Sequence, residues 1–202
     1  MDLSLPHETI EISALLPKIQ AALDGIDPNL ASEYLMTAAI DFTRDSRIMR
    51  MTHCIDITPC VTSYRLNTSG YRISEIAKIT LSRQNCLSDV NIANLTHTEG
   101  STLYLDEQLC QDANTKVIVE TVVVPKRSGD TIPEDLYEDW EPAIISGALA
   151  SLYLMSGAMW GNKGLADRHD KDFSLHIKRA RFLRIVRNKP ITMRLSPKGR
   201  SR

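Results

Sequence analysis

The sequence has little of what catalysis and metal binding require. Its four cysteines are scattered and form no CxxC pair, so the spacing of a structural zinc site is absent. No glycine-rich phosphate loop occurs, because the segment around Gly161 lacks both the spacing and a preceding strand. Ser146 and Gly147 lack the second flanking glycine of a nucleophile elbow. We therefore expect no enzyme activity, no catalytic residue and no cofactor.

Two groups of polar residues imitate functional sites. His169, Asp172 and His176 lie near one face of a predicted helix at spacings of three, four and seven, as metal ligands can. A solvated helix face with one charge pair explains them better. The acids at 134–135 and 138–139 imitate a catalytic dyad, but carboxylates are also favourable at a helix N-terminus. The prediction is that neither group binds a metal or performs catalysis.

We also expect no secretory signal, because MDLSLPHETI has no basic region and no apolar core. Residues 142–162 carry no charge over about the length of a membrane span. Serine, glycine and asparagine dilute this stretch, which favours a buried helix over a membrane span. Together with the scattered thiols, these features predict a reducing cytosolic compartment and no membrane partner.

Charge is distributed very unevenly along the chain. The formal net charge is −1, but residues 174–202 contain ten Lys or Arg and no acid. Residues 1–173 therefore hold 14 basic and 25 acidic side chains, a net charge of −11. A basic tail of this kind can bind phosphate backbones nonspecifically, dock on an acidic protein surface, or remain a solvated terminus. Few aromatic residues interrupt it, so base stacking is not expected.

Hydrophobic periodicity divides the chain into helical ends and a strand-rich middle. Apolar residues at helical spacing, and Asp27-Pro28 as the start of a second helix, predict a helical hairpin over residues 13–46. Residues 49–127 alternate between apolar and polar side chains, which predicts a small antiparallel sheet. Its polar stretch at 85–100 is interpreted as an exposed functional loop or a locally disordered segment. Two further helices are predicted over 131–189. The first is expected to begin with a cap at Thr131 and to carry an apolar stripe made of Leu136, Trp140, Ile144, Ala148, Leu152 and Met155.

These elements predict one α+β domain over residues 1–189, followed by an extended basic arm over 190–202. The domain is expected to be mainly α. It is predicted as a helical bundle, made of the N-terminal hairpin and two C-terminal helices, with the small antiparallel sheet inserted between them.

A block over residues 133–166 has regularly spaced tryptophan, small and apolar residues. It reads Pro133-x-x-Leu136-x-x-x-Trp140-x-x-Ala143-Ile144-x-x-Gly147-Ala148-Leu149-Ala150-x-Leu152 and continues through Met155-x-Gly157-x-x-Trp160-x-Asn162. This block resembles the C-terminal helical signature of the head-to-tail adaptor proteins of tailed bacteriophages. The order of the chain agrees, with Leu15-Leu16-Pro17 in the first helix and "TRDSRIMR" after the second. The stretch 85–100 and the basic end 190–202 depart from the family pattern.

The resemblance implies a structural virion protein at the head-tail junction, assembled in the host cytoplasm. It implies a ring of about twelve copies. The ring would bind the portal protein and the tail or nozzle proteins, and would pass double-stranded DNA without sequence-specific contact.

Two sets of residues are candidates for the contacts of such a ring. The small-residue face of the signature helix would pack against a neighbouring subunit through Trp140, Gly147, Ala148 and Ser151. The arm would dock on the portal through Arg194, Lys198, Arg200 and Arg202. Two alternatives remain open at this point: a small nonspecific DNA-binding or DNA-packaging accessory protein that uses the basic tail, and a membrane-associated protein that uses 142–162 as a span.

Overall fold

The structure, a computed structural model, describes residues 8–68, 70–83, 86–89, 96–105 and 115–187. A short 3₁₀ helix, Ile12–Leu15, leads into the first α-helix. The helices are α1 (Leu16–Ala22), α2 (Pro28–Ser46), α3 (Glu134–Tyr153) and α4 (Lys163–Arg187). The strands are β1 (Thr9–Glu11), β2 (Arg50–Asp56), β3 (Ser63–Arg65), β4 (Tyr71–Arg83), β5 (Cys86–Asp89), β6 (Thr96–Glu99), β7 (Thr102–Leu105), β8 (Thr115–Pro125) and β9 (Thr131–Pro133).

The ends of α2 follow from local chemistry. The carboxylate of Asp27 accepts a hydrogen bond from the backbone N–H of Asn29 at 2.9 Å, and Pro28 occupies the first helical position. This start confirms the prediction from Asp27-Pro28. The helix stops where Arg47 turns into the left-handed region, with φ of 56°, and its N–H bonds the carbonyl oxygen of Thr43. The chain can then enter β2.

The helices share one apolar core. Helix α3 lies against both α2 and α4, and the predicted stripe of apolar residues along it is buried. That stripe is confirmed at Leu136, Trp140, Ile144, Ala148 and Leu152. Phe42 of α2 is fully buried beside Trp140, with ring centroids 5.2 Å apart. Because each helix offers one apolar face, all three must pack together to bury them.

The middle of the chain forms two antiparallel sheets. One has the order β2-β8-β4-β5 and the other the order β3-β7-β6. Along β2, Met51, His53 and Ile55 face inward while Thr52 and Cys54 are exposed, which confirms the predicted alternation. Strand β4 shifts register against β8 between Ile73 and Glu75 and again between Ile76 and Lys78, as β-bulges do.

The strands build a second apolar core of their own. It is lined by aliphatic side chains from both sheets and from the loops that join them. Its buried members are Ile57, Leu66, Ile79, Leu81, Leu103, Leu105, Val117 and Val119.

The prediction of a mainly α bundle with a small inserted sheet is wrong. Strands form three sheets, and β4 and β8 reach 13 and 11 residues. The physical reason is that the strand segment buries a core of its own instead of covering the helices as an accessory. Both helices and strands are major parts of the fold. Part of the predicted loop 85–100 is strand as well, because β5 and β6 lie within it.

A third, two-stranded sheet pairs residues 9–11 with the segment just before α3. Strand β1 pairs with β9 from Thr9 opposite Pro133 to Glu11 opposite Thr131. The sequence suggests that Thr131 caps a helix, but Thr131 is in β9, and α3 begins at Glu134 without a side-chain cap. Among the described residues, no helix has the length and apolar character to cross a membrane. The uncharged stretch 142–162 contributes to α3 only as far as Tyr153.

Candidate functional site

The four residues predicted for subunit packing lie on α3, and three of them are buried within this chain. Trp140 is 8% exposed and Ala148 is fully buried in the helical core. A Cβ atom on Gly147 would lie 2.9 Å from Cε2 of Phe173 in α4 and 3.0 Å from Cβ of Ala38 in α2. Ser151 is exposed, and its hydroxyl donates to the carbonyl oxygen of Gly147 at 3.3 Å.

At Gly147 the close packing is therefore between helices of the same chain. Gly147 lets the ring of Phe173 lie directly against the α3 backbone, which a larger side chain would prevent. A contact between subunits through this face stays a prediction. Of the four residues, Ser151 alone is exposed to meet a neighbour.

The predicted portal-docking residues lie outside the described part of the chain. The structure describes α4 up to Arg187, while Arg194, Lys198, Arg200 and Arg202 follow it in the sequence. Their role stays a prediction.

Of the three residues considered as metal ligands, His169 packs against an aromatic ring. The imidazole of His169 stacks on the ring of Tyr153, with centroids 5.6 Å apart and planes 11° apart. This contact joins the end of α3 to α4. Across the described ranges, no group of three or more His, Cys, Asp or Glu side chains is placed to hold a metal ion.

An open groove lies between the helical half and the sheets. Its volume is about 1050 Å³. One wall is a face of α2 from Thr37 to Arg44. The other walls are the β3–β4 connection at 65–68 and 70–73 and the turn after β8 at 125–128, and Gly100 and Ser101 close one side.

The groove is basic although the body of the chain is acidic. Arg65, Arg72, Lys126 and Arg127 line it, are exposed, and form no ion pair with any described residue. Arg44 also lines it but is neutralised, because its guanidinium bonds Asp41 at 2.7 Å and Asp45 at 3.2 Å. The hydrogen bond to Asp45 raises the pKa of Arg44 further above its usual value. Four cations without an ion pair to any described residue therefore line this groove.

Strand pairing brings these cations together from distant parts of the sequence. Tyr71 pairs with Pro125 in the β4–β8 ladder, so Arg72 on β4 lies beside the residues that leave β8. The turn after β8 closes with a bond from the N–H of Gly129 to the carbonyl oxygen of Lys126 at 3.0 Å. Sequence reasoning missed the groove because its cations are separated by about sixty residues and lie in a segment of net negative charge.

The arrangement can bind a polyanion through its charge. Guanidinium groups form paired hydrogen bonds with phosphate or carboxylate oxygens. Tyr71 is the aromatic residue that lines the groove; it is half-buried, and burial raises its pKa. With so little aromatic surface, contacts to an anionic backbone are favoured over base stacking.

No protein-family model matches this chain, and no curated protein matches it either. The resemblance to phage head-to-tail adaptors therefore rests on the spacing of residues in 133–166 and on the order of elements around it. The family assignment stays a prediction.

Proposed function

We propose that this chain is a structural subunit of the head-tail junction of a tailed bacteriophage, present as a ring between the portal and the tail. Two of the residues that carry the resemblance support this proposal, because they pack α3 against the neighbouring helices. Trp140 packs on Phe42, and Gly147 admits Phe173. In this role the chain performs no catalysis and continues the channel for DNA.

The observation that supports assembly into a ring is an exposed apolar stripe on α4. Leu175 and Phe182 are each 64% exposed, and Val186 is 49% exposed. Their spacing of seven and four places them on one side of the helix. Arg179 lies between Leu175 and Phe182 on the same side, and exposed apolar side chains of this kind mark a candidate protein interaction site. A neighbouring copy that covers the stripe would form a head-to-tail contact, and repetition of that contact closes a ring.

The test is the particle that the full chain forms, alone and with a portal protein. We expect a closed ring in electron micrographs and a particle mass that is a multiple of the chain mass. The double variant Phe182→Ser, Val186→Ser should lose the ring but keep its circular dichroism spectrum, because both side chains are exposed. Leu154→Ser is the matched control, since Leu154 is 61% exposed but lies at the end of α3. A wild-type chain that forms no ring in either condition would refute the proposal.

The portal contact is assigned to the basic arm. Removal of residues 190–202 takes away Arg194, Lys198, Arg200 and Arg202. We expect the shortened chain to lose affinity for the portal and to retain contacts between its own copies. Unchanged portal binding would show that the arm is not the docking element.

A second candidate function, nonspecific binding of double-stranded DNA, is favoured by the basic groove. Each phosphate contact contributes about −0.9 to the slope of log K against log salt concentration. The variant Arg65→Gln, Arg72→Gln should therefore reduce that slope by about two for a DNA duplex. Arg168→Gln, an exposed position on α4 outside the groove, should leave it unchanged. No measurable affinity of the wild-type chain for free duplex at low salt would exclude this candidate.

A further inference from the structure

Four arginines from three elements lie near one another where α4 approaches the end of α2 and the start of β2. Arg47 follows the C-terminus of α2, and Arg50 begins β2. Arg181 and Arg184 lie three residues apart on the C-terminal half of α4. This group, the arginine cluster, shares no residue with the groove described above.

Two members of the arginine cluster are neutralised by carboxylates of the sheet. Arg47 bonds Glu75 of β4 twice, through Nε at 2.8 Å and through Nη2 at 3.1 Å. Arg50 bonds Glu120 of β8 through Nη1 at 3.1 Å. These pairs fix the positions of both guanidinium groups.

The other two members have no carboxylate partner among the described residues. Arg181 donates from Nε to the backbone carbonyl oxygen of Asp45 at 2.7 Å, which anchors its guanidinium at the end of α2. Nη1 of Arg184 is buried and has no hydrogen-bond partner in the described part of the chain. A buried guanidinium nitrogen without a partner is costly, because it has lost water and gained nothing in exchange.

The surroundings of Arg184 disfavour its positive charge. Burial lowers the pKa of Arg184, and the nearby charges of Arg50, Arg47 and Arg181 lower it further. Glu75 acts in the opposite direction but is already engaged by Arg47. The cluster therefore keeps an excess of positive charge after its internal ion pairs are counted.

The side chains of residues 174–202 do not supply the missing negative charge. Residues 174–202 contain no Asp or Glu, and every charged side chain after Arg184 is Lys or Arg. Solvent can reach the cluster, since the side chain of Arg47 is 52% exposed and Arg181 is exposed. A balancing anion can therefore enter from outside.

We infer that the arginine cluster is a binding site for a phosphate group, held by Arg181 and Arg184 and supported by Arg47 and Arg50. A tetrahedral phosphate has enough oxygen atoms to accept from several guanidinium groups at once, whereas a carboxylate offers two. The two sheet carboxylates already occupy Arg47 and Arg50, so the open positions are those on α4. The proposed phosphate site uses none of the residues that line the basic groove, and it does not require that the chain form a ring.

The first test compares thermal unfolding of the full chain in sodium phosphate and in sodium chloride at equal ionic strength and pH. We expect phosphate to raise the unfolding temperature in a saturable way, as a ligand that binds the folded state does. Equal unfolding temperatures in the two salts would overturn the inference. An equal rise in sodium acetate would also overturn it, because the cluster would then accept any carboxylate.

The second test uses Arg184→Gln, with Arg179→Gln as the matched control. Arg179 is exposed and lies on a different face of α4. In chloride, Arg184→Gln should unfold at the same or a higher temperature than wild type, because it removes a crowded charge. In phosphate it should lose at least tenfold in apparent affinity, while Arg179→Gln keeps the wild-type response. A wild-type phosphate response in Arg184→Gln would refute the site even if both variants fold normally.

Two sources could supply the phosphate group, a free phosphate ion or the backbone of a nucleic acid. A fluorescent DNA duplex distinguishes them. If Arg184→Gln weakens duplex binding several-fold and Arg179→Gln does not, the site takes backbone phosphate. If duplex binding is the same in both variants while the response to inorganic phosphate is lost in Arg184→Gln alone, the site takes the free ion.

Discussion

The helical core and the sheet core differ in size and in the kind of side chain they bury. Among the described residues, the helical core has 25 buried apolar members and the sheet core has eight. The helical core contains an aromatic group, with Phe42 5.2 Å from Trp140 and 6.3 Å from Phe173 between ring centroids. The described buried members of the sheet core are all aliphatic.

This difference indicates that the two halves are stabilised in different ways. The free energy of burial grows with the apolar area removed from water, so the helical half holds most of it. The sheets add backbone hydrogen bonds along the long β4–β8 ladder. The cations of the groove belong mainly to the sheet half, on connections that this smaller core positions. The same substitution made in each core measures how far the two cores differ in their contribution to stability.

The largest expected effect comes from the same truncation in each core. Leu35 in α2 and Leu103 in β7 are both fully buried. Leu→Ala in a core costs about 2–5 kcal/mol, and the cost rises with the cavity that remains. We expect Leu35→Ala to lie near the upper end, because its many packed neighbours cannot collapse into the cavity, and Leu103→Ala near the lower end. Urea unfolding followed by circular dichroism measures both, and a larger loss for Leu103→Ala would reverse the comparison.

A smaller effect is expected where the helices approach most closely. The Cβ atom of Gly147→Ala would meet Phe173 and Ala38 at about 3 Å. Overpacking of this kind costs about 1–3 kcal/mol.

The control for Gly147→Ala is Gly164→Ala in the first turn of α4, where the nearest atom, Oδ1 of Asn162, lies 3.4 Å from the new Cβ. Alanine is the better helix former by about 1 kcal/mol, so this control should be neutral or stabilising. If Gly147→Ala and Gly164→Ala lost the same free energy of unfolding, the helices would not be tightly packed at Gly147.

Sequence periodicity predicts the individual helices and strands well, because caps and side-chain patterns within each segment determine them. The cap at Asp27, the alternation of β2 and the apolar stripe of α3 each depend on residues close together in the chain. The prediction of a mainly α fold is wrong, because the second core depends on pairing between strands far apart in sequence, such as β3 with β7. The basic groove and the arginine cluster arise in the same way, from residues that only the fold brings together.

A still smaller effect is expected at the start of α2, which tests how far the helical half depends on local interactions. Asp27→Ala removes the carboxylate that accepts from the N–H of Asn29. Loss of an N-cap costs about 1 kcal/mol, less than either core truncation. Asp27→Asn is the control and should retain nearly full stability, because asparagine caps equally well. If both variants lose the same amount, the charge of Asp27 and not its capping bond is what stabilises the helix.

The smallest effect, and one that depends on pH, is expected where β9 leads into α3. A proton on Glu134 can be shared with the carboxylate of Glu8, and this hydrogen bond, burial and the nearby acids raise the pKa of Glu134 in the folded state. A raised carboxyl pKa means that the folded state binds the proton more tightly, so the ionised form costs stability above the folded pKa. That cost disappears as the pH falls to the unfolded value of about 4.3.

Glu134→Gln removes the ionisable group and with it this cost. Its unfolding temperature relative to wild type should therefore be higher at pH 7, and the difference should shrink toward pH 4. Glu33→Gln, an exposed position on α2, serves as the control and should show no such trend. A difference that instead grew on acidification would mean that Glu134 stabilises the fold as a carboxylate at the N-terminus of α3. In that case charge, as well as packing, would favour the helical half.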